Sequence, residues 1–211
     1  MQIAVSFLGI EKDLVKNLQL LNKTDVDYFH YDIMDGKFVE NKTGLFKQDL
    51  AISKTLKKSF DVHLMVDDVK KYVDQYMLLK PEWITFHLEI GDTDNLIKYI
   101  KDKKIDVGIS IKPNTAIDKL LPFLAKVDVV LIMSVEPGAG GQRFLKKAID
   151  RINYLYKYRQ EHNLKYIIQV DGGINDKTIK MVRTADVVVV GSFITNSNDY
   201  QKKLDLLRER K

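Results

Sequence analysis

The sequence predicts an α/β protein, a closed (β/α)8 TIM barrel, from three observations. Eight short apolar runs rich in β-branched residues recur along the chain, segments with helical spacing separate them, and chemically capable polar residues gather where the runs end. Strand–helix alternation implies parallel strands, because a parallel pair needs a long crossover between its members. An open doubly wound sheet is the competing arrangement, but no G-x-G-x-x-G follows the first run.

Each element follows from local pattern. The first strand is read over 3–7, after which Leu14, Leu18 and Leu21 fall on one helical face. The second strand, 28–34, precedes a non-periodic stretch over 37–46, a long loop that a barrel would carry on its catalytic face. The third, 60–65, leads into a helix with Val69, Tyr72, Val73 and Tyr76 on one side. Strands four to six are read over 83–87, 106–111 and 129–134. Ile149, Ile152, Leu155 and Tyr156 mark a helix face before the seventh strand, 166–171. The eighth is read over 187–191, with Leu204 and Leu207 marking the last helix. No linker, low-complexity segment or domain boundary interrupts residues 1–211, so one barrel domain is expected.

The 211 residues can bury a sizeable core without covalent staples. The chain has no cysteine, which excludes disulfides, thiolate zinc sites, iron–sulfur clusters and cysteine nucleophiles. At 45% hydrophobic and 30% charged residues it is an ordinary globular composition, not a disordered one. The net charge of +5 comes from lysines interspersed with acids, as in Lys101-Asp102-Lys103-Lys104, which reads as solvated helix faces. No nucleic-acid partner is expected. The apolar stretch 127–135 is interrupted by Asp128 and bounded by Glu136 and Pro137, too short for a membrane span. The N-terminal MQIAVSFLGIEKD has no basic n-region, so a cytoplasmic location is expected.

Strand side chains alternate faces, so His30, Asp32 and Met34 share one face of the second strand, and His63 and Met65 one face of the third. If these faces point inward, two imidazoles and a carboxylate converge, and Asp171 at the end of the seventh strand can reach the same centre. Two histidines and two carboxylates suit a divalent transition metal such as Zn²⁺ or Fe²⁺. Any one of these histidines alone would read as a hydrogen-bonded core residue; the set, in phase, reads as ligands. His87 also ends a strand, whereas His162 lies in a polar helix end and is read as exposed. Met34, Met65 and Met133 each end a strand, and spacing leaves open whether they fill gaps or form a water-excluding lining. Pro137-Gly138-Ala139-Gly140-Gly141, Gly172-Gly173 and Gly191-Ser192 follow three consecutive strands. Glycine lets backbone N–H groups approach an anion closely, so the three clusters read as a phosphate cradle rather than as ordinary turns.

The runs His30-Tyr31-Asp32-Ile33-Met34-Asp35-Gly36-x-Phe38-Val39-x-Asn41, Asp61-Val62-His63-Leu64-Met65, Val135-Glu136-Pro137-Gly138-x-Gly140-Gly141-Gln142-x-Phe144 and Val170-Asp171-Gly172-Gly173-Ile174 resemble the ribulose-phosphate 3-epimerase family, over residues 6–191. The resemblance implies a barrel of the ribulose-phosphate-binding type. It implies a metal on His30, Asp32, His63 and Asp171, and acid–base roles for Asp32 and Asp171. It implies substrate contacts from Ser6 and His63, and a lining of Met34, Met65 and Met133. It implies a phosphate grip from Gly138, Ala139, Gly140, Gly141, Gly172, Gly173, Gly191 and Ser192. The implied reaction is metal-dependent inversion at C3 of a ketose phosphate, D-ribulose 5-phosphate to D-xylulose 5-phosphate, by two-base proton transfer through an enediolate. That is a step of the pentose phosphate pathway. The implied partner is a small-molecule sugar phosphate, and barrels of this kind often associate, so a homo-oligomer is expected.

The chain departs from the family's pattern at a few places. Glu40 stands where proline is usual, Lys42 and Leu45 differ in the same loop, and Ala139 replaces a bulky aromatic. Val5 replaces a proline, and Glu136 an asparagine. None is a ligand position, but the loop changes open the question of the sugar. A hexulose phosphate such as allulose 6-phosphate is one alternative substrate, because Ala139 would enlarge the covering loop's interior. A non-catalytic sugar-phosphate binding barrel is another, opposed by the retention of both carboxylates and both histidines. The related decarboxylases carry Asp-x-Lys-x-x-Asp, and here His63 replaces the lysine.

Overall fold

The computed structural model describes residues 1–10, 12–43 and 46–209. Eight parallel strands close into a barrel in chain order. They are β1 (Gln2–Ser6), β2 (Tyr28–Met34), β3 (Phe60–Met65), β4 (Trp83–His87), β5 (Asp106–Ile111), β6 (Val129–Met133), β7 (Ile167–Asp171) and β8 (Val187–Val190). The bounds of β2 to β5 match the sequence reading; β1 is shifted by one residue at both ends, and β6, β7 and β8 each differ by one residue at one end, where pairing frays. Both faces of these strands are covered, one by helices and one by the barrel interior. β6 and β8 are therefore continuous apolar runs, whereas β2 and β3 alternate apolar residues with His30, Asp32, Asp61 and His63.

Outside the barrel lie α1 (Leu14–Leu21), α2 (Phe46–Ser53), α3 (Val69–Tyr76), α4 (Thr93–Lys101), α5 (Lys147–Glu161), α6 (Ser192–Thr195) and α7 (Tyr200–Leu207). The alternation is incomplete. After β5 and β7 the chain forms 3-10 turns, Ile117–Phe123 and Ile179–Met181, in place of α-helices. Pro122 lies inside the first and lacks the N–H that an α-helix would use. Before the second, the Asn175 side chain accepts from the backbone N–H of Lys177 and Thr178, a local turn that competes with a helix.

The main core lies between barrel wall and helices. Leu18 and Leu21 of α1, Val69 and Val73 of α3, Ile152 and Leu155 of α5, and Leu204 and Leu207 of α7 are buried in it. Each leucine so buried contributes about 1.5–3 kcal/mol. Tyr156 does not join them. The buried stripe of α5 runs through Ala148, Ile152 and Leu155, and Tyr156 falls past its edge at 40% exposure.

Inside the barrel, Ala4, Val187 and Val189 pack with Tyr28 and Ile167, first residues of β2 and β7, into a small apolar plug. Towards the C-terminal mouth the interior turns polar. His30, Asp61, His63, Thr85, His87, Ser110 and Gln169 are all fully buried. Register sets this arrangement: His30 pairs with Asp61, Asp32 with His63, and Met34 with Met65, while Met133 pairs with Asp171. Laterally paired residues share a face, so the first three pairs point into the barrel together. Among the described residues no helix is long and apolar enough to cross a membrane.

Candidate functional site

His30, Asp32, His63 and Asp171 meet at the barrel mouth. One ligand atom from each lies within 4.8 Å of the others. Asp32 Oδ1 is 3.3 Å from His30 Nε2 and 3.4 Å from His63 Nδ1, and Asp171 Oδ2 is 3.9 Å from His63 Nδ1. Ser6, at the end of β1, donates from its hydroxyl to Asp32 Oδ2 at 2.6 Å. The far side of His30 is held as well: its Nδ1–H donates to Asp61 Oδ2 at 2.7 Å, and the Gln169 amide donates to the same oxygen at 3.3 Å.

The electrostatics of the cluster call for positive charge. Burial alone would depress His30, but the Asp61 and Asp32 carboxylates outweigh it and hold the imidazole well above its ordinary range. Burial alone would raise Asp32, but His30 and His63 hold it far below the usual carboxylate range. Burial, then the neighbouring Asp32 charge, pushes Asp171 up. His30 Nε2 and His63 Nδ1 are buried and have no hydrogen-bond partner among the described residues, although such groups are almost always paired. A cation among these atoms would satisfy both nitrogens and compensate both carboxylates, so the donor set fits a metal ion.

Above the cluster opens a cavity of about 300 Å³. Its wall takes in Ser6, Asp32, Asp171, Met34, Met65 and Met133, together with Gly138, Ala139, Gly140, Gly141, Gly172, Gly173, Gly191 and Ser192. His30 and His63 lie deeper, fully buried, and are not part of the wall of this cavity. The three methionines are 2–3% exposed and face the cavity, so they do line it. Glycine is required where the walls close up. At Gly173, with φ +63°, a Cβ would stand 2.5 Å from the Phe144 backbone nitrogen. Gly191 precedes the short α6, which Ser192 begins.

Two loops meet over the cavity. The loop after β2 is anchored by Asp35, whose Oδ1 accepts from the N–H of Lys37 and Phe38, and whose Oδ2 accepts from the N–H of Asp67. Asn41 then donates to the Gly138 carbonyl of the loop after β6 at 2.7 Å. Gln142 ties that second loop to itself through the carbonyls of Glu136 and Ala139. Of the departures, Glu40, Lys42, Glu136 and Ala139 are exposed, and only Ala139 and Glu136 reach the cavity. Val5 faces the core, and Leu45 lies outside the described residues.

Sequence reasoning assigned no role to Asp61, His87, Asp35 or Asn41. Asp61 could have been found, since it stands two residues before His63 and shares its face. His162 is exposed, as read, and stacks on Tyr158.

Fold and site together define a class of protein, a (β/α)8 barrel with a cluster able to hold a metal ion beneath a glycine-walled cavity at its C-terminal mouth. Residues 2–195 match the family model described as Ribulose-phosphate 3 epimerase family. Ribulose-phosphate 3-epimerase of Aquifex aeolicus (strain VF5) is 33% identical over 196 residues, covering 92% of this chain and 88% of that one. The Helicobacter pylori (strain ATCC 700392 / 26695) protein of the same name is 32% identical over 212 residues, covering 99% and 97%. The chain belongs to the ribulose-phosphate 3-epimerase family, a family of isomerases. The crystal structure of KGPDC from Streptococcus mutans shares the fold with a TM-score of 0.69 at 11% identity, covering 99% of this chain and 95% of that one.

Proposed function

We propose that this enzyme inverts C3 of a ketose phosphate, interconverting D-ribulose 5-phosphate and D-xylulose 5-phosphate. The observation that carries the reading is the convergence of His30, Asp32, His63 and Asp171 beneath a glycine-walled cavity. The chain works as one barrel domain over 1–211, in the cytoplasm, as a homo-oligomer.

A divalent cation, Zn²⁺ or Fe²⁺, held by His30, Asp32, His63 and Asp171 would supply Lewis-acid polarisation of the substrate's oxygens. The chain's own residues do the rest. Asp32 and Asp171 project from β2 and β7, so a flat enediolate can lie between them. One carboxylate takes the C3 proton from one face, and the other, starting protonated, delivers a proton to the opposite face. Ser6 holds Asp32 Oδ2 in place. Met34, Met65 and Met133 exclude water from the reacting carbons. Backbone N–H groups around Gly172, Gly173, Gly191 and Ser192 take the phosphate, lending remote binding energy to orientation at C3.

Ala139 favours a second reading in which a six-carbon ketose phosphate such as allulose 6-phosphate is turned over, because its small side chain lies on the cavity wall. The deciding experiment compares kcat/KM for the two sugars in deuterated water. Deuterium at C3 with a preference for the pentulose supports the proposal. No preference for the pentulose would sink the assignment of substrate, and binding without deuterium uptake would make the barrel a mere receptor.

A further inference from the structure

His63 is fully buried, and one of its ring nitrogens faces the cluster while the other faces His87. His63 Nε2 and His87 Nε2 are 2.9 Å apart, so one proton lies between them. His87 Nδ1 stands 3.3 Å from Glu89 Oε2. The other oxygen of Glu89 accepts from the Lys112 backbone N–H at 2.7 Å and from the Thr115 hydroxyl. Phe38 covers the His87 ring with centroids 4.7 Å apart, and Lys112 Nζ sits over Phe38.

With a cation among the four ligands, this chain of contacts has one consistent direction. A carboxylate only accepts, so a neutral His87 carries its proton on Nδ1 and points it at Glu89. His87 Nε2 is then a lone pair and must receive the proton of His63 Nε2. His63 Nδ1 is left as a lone pair facing the carboxylate oxygens of Asp32 and Asp171. The reverse direction would set a bare His87 nitrogen against the Glu89 carboxylate, where no cation could compensate it, whereas the bare His63 Nδ1 faces the position that a cation among the carboxylates would fill.

We infer that His87 and Glu89 are positioning residues that lock His63 in the tautomer whose Nδ1 lone pair is presented to a divalent cation. Neither touches the cavity wall, and their effect reaches the site through His63 alone. The inference rests on the proposed cation site, yet one of its readouts needs no cation.

The test uses the full-length protein stripped of metal. Long-range proton–nitrogen NMR on the stripped protein reads the His63 tautomer, and competition against a chromophoric chelator reads Zn²⁺ affinity. The wild type is expected to show a protonated His63 Nε2. Glu89→Gln and His87→Phe are expected to mix the two tautomers and to weaken Zn²⁺ about 10–100-fold. His87→Gln, whose amide oxygen can still accept from His63 Nε2, is expected to recover most of the affinity. Glu89→Gln keeps the test alive if His87→Phe does not fold. A wild-type His63 protonated on Nδ1 overturns the inference outright. Unchanged Zn²⁺ affinity in folded Glu89→Gln and His87→Phe also overturns it, while leaving the cation site standing. A wild type that binds no divalent cation overturns both.

Discussion

The Ser6 hydroxyl donates to Asp32 Oδ2 at 2.6 Å, while Asp32 Oδ1 turns to the two imidazoles. The two oxygens of one carboxylate thus face different groups, Oδ1 the two imidazoles of the cluster and Oδ2 the Ser6 hydroxyl. A hydrogen bond to a charged group is worth about 1.5–3 kcal/mol. Ser6→Ala should therefore lower kcat about 10–100-fold while the bound metal per chain is unchanged. Steady-state kinetics with metal analysis on the same preparation checks it, and metal loss in the variant would contradict the division of roles.

In the proposed mechanism Asp32 and Asp171 each move a proton and hold charge. Asp32→Asn or Asp171→Asn should lower kcat by about 10²–10⁴-fold. Neither should abolish folding, because asparagine fills the same space. Turnover within a factor of a few of the wild type, measured by a coupled assay, would remove that residue from the proton path.

The cluster was legible in the sequence because period-two phase places three of its members on one face. Once 28–34 and 60–65 are strands, His30, Asp32 and His63 can only share a face if they pair in register, and they do. The supports were less legible because they depend on depth and on lateral pairing. Asp61 meets His30 only through the offset between β2 and β3, and His87 meets His63 across to β4. Tyr156 was misplaced on α5 because a face counted from Ile149 lies one step round from the stripe that the barrel covers. The 3-10 connections escaped because Pro122 and the Asn175 turn act locally, within a pattern that otherwise alternates.

Gly173 is where the glycine cradle can be tested most directly. An added Cβ would press on the Phe144 backbone at 2.5 and 2.8 Å and on the Gln142 carbonyl at 3.0 Å. Backbone cannot swing aside as a side chain can, so Gly173→Ala must move the loop after β6. KM should rise about 10-fold with a smaller change in kcat, the signature of lost ground-state binding. Gly91→Ala is the control, since it has a similar φ of +78° and its added Cβ would meet nothing within 4 Å among the described residues. Equal KM changes in the two variants would mean that backbone strain, not loop position, is responsible.

Ala139 lies on the cavity wall and is exposed. Ala139→Phe should fill the mouth and discriminate against a longer sugar. The ratio of kcat/KM for the pentulose over the hexulose phosphate should rise about 10-fold or more, the scale set by a methylene or two in a tight pocket. An unchanged ratio would show that this position does not select chain length.

Asp49 gives a pH prediction away from the cavity. It sits buried on α2 and accepts from the Tyr76 hydroxyl at 2.5 Å. Burial raises its carboxyl above the ordinary value, and the Tyr76 hydrogen bond only partly opposes this. A group with a raised folded-state pKa contributes stability that is fully present below its unfolded pKa and is lost as pH rises through the folded value. At neutral pH the ionised Asp49 therefore costs stability. Asp49→Asn removes the charge and keeps an acceptor for Tyr76. The variant should be more stable than the wild type at pH 7, and the gain should shrink as the pH falls through the raised folded-state pKa of Asp49 towards the ordinary carboxylate range. Urea unfolding of both proteins across that range measures it. A variant less stable than the wild type at pH 7, or a gain that grows on acidification, would show that the Tyr76 bond outweighs the burial of the charge.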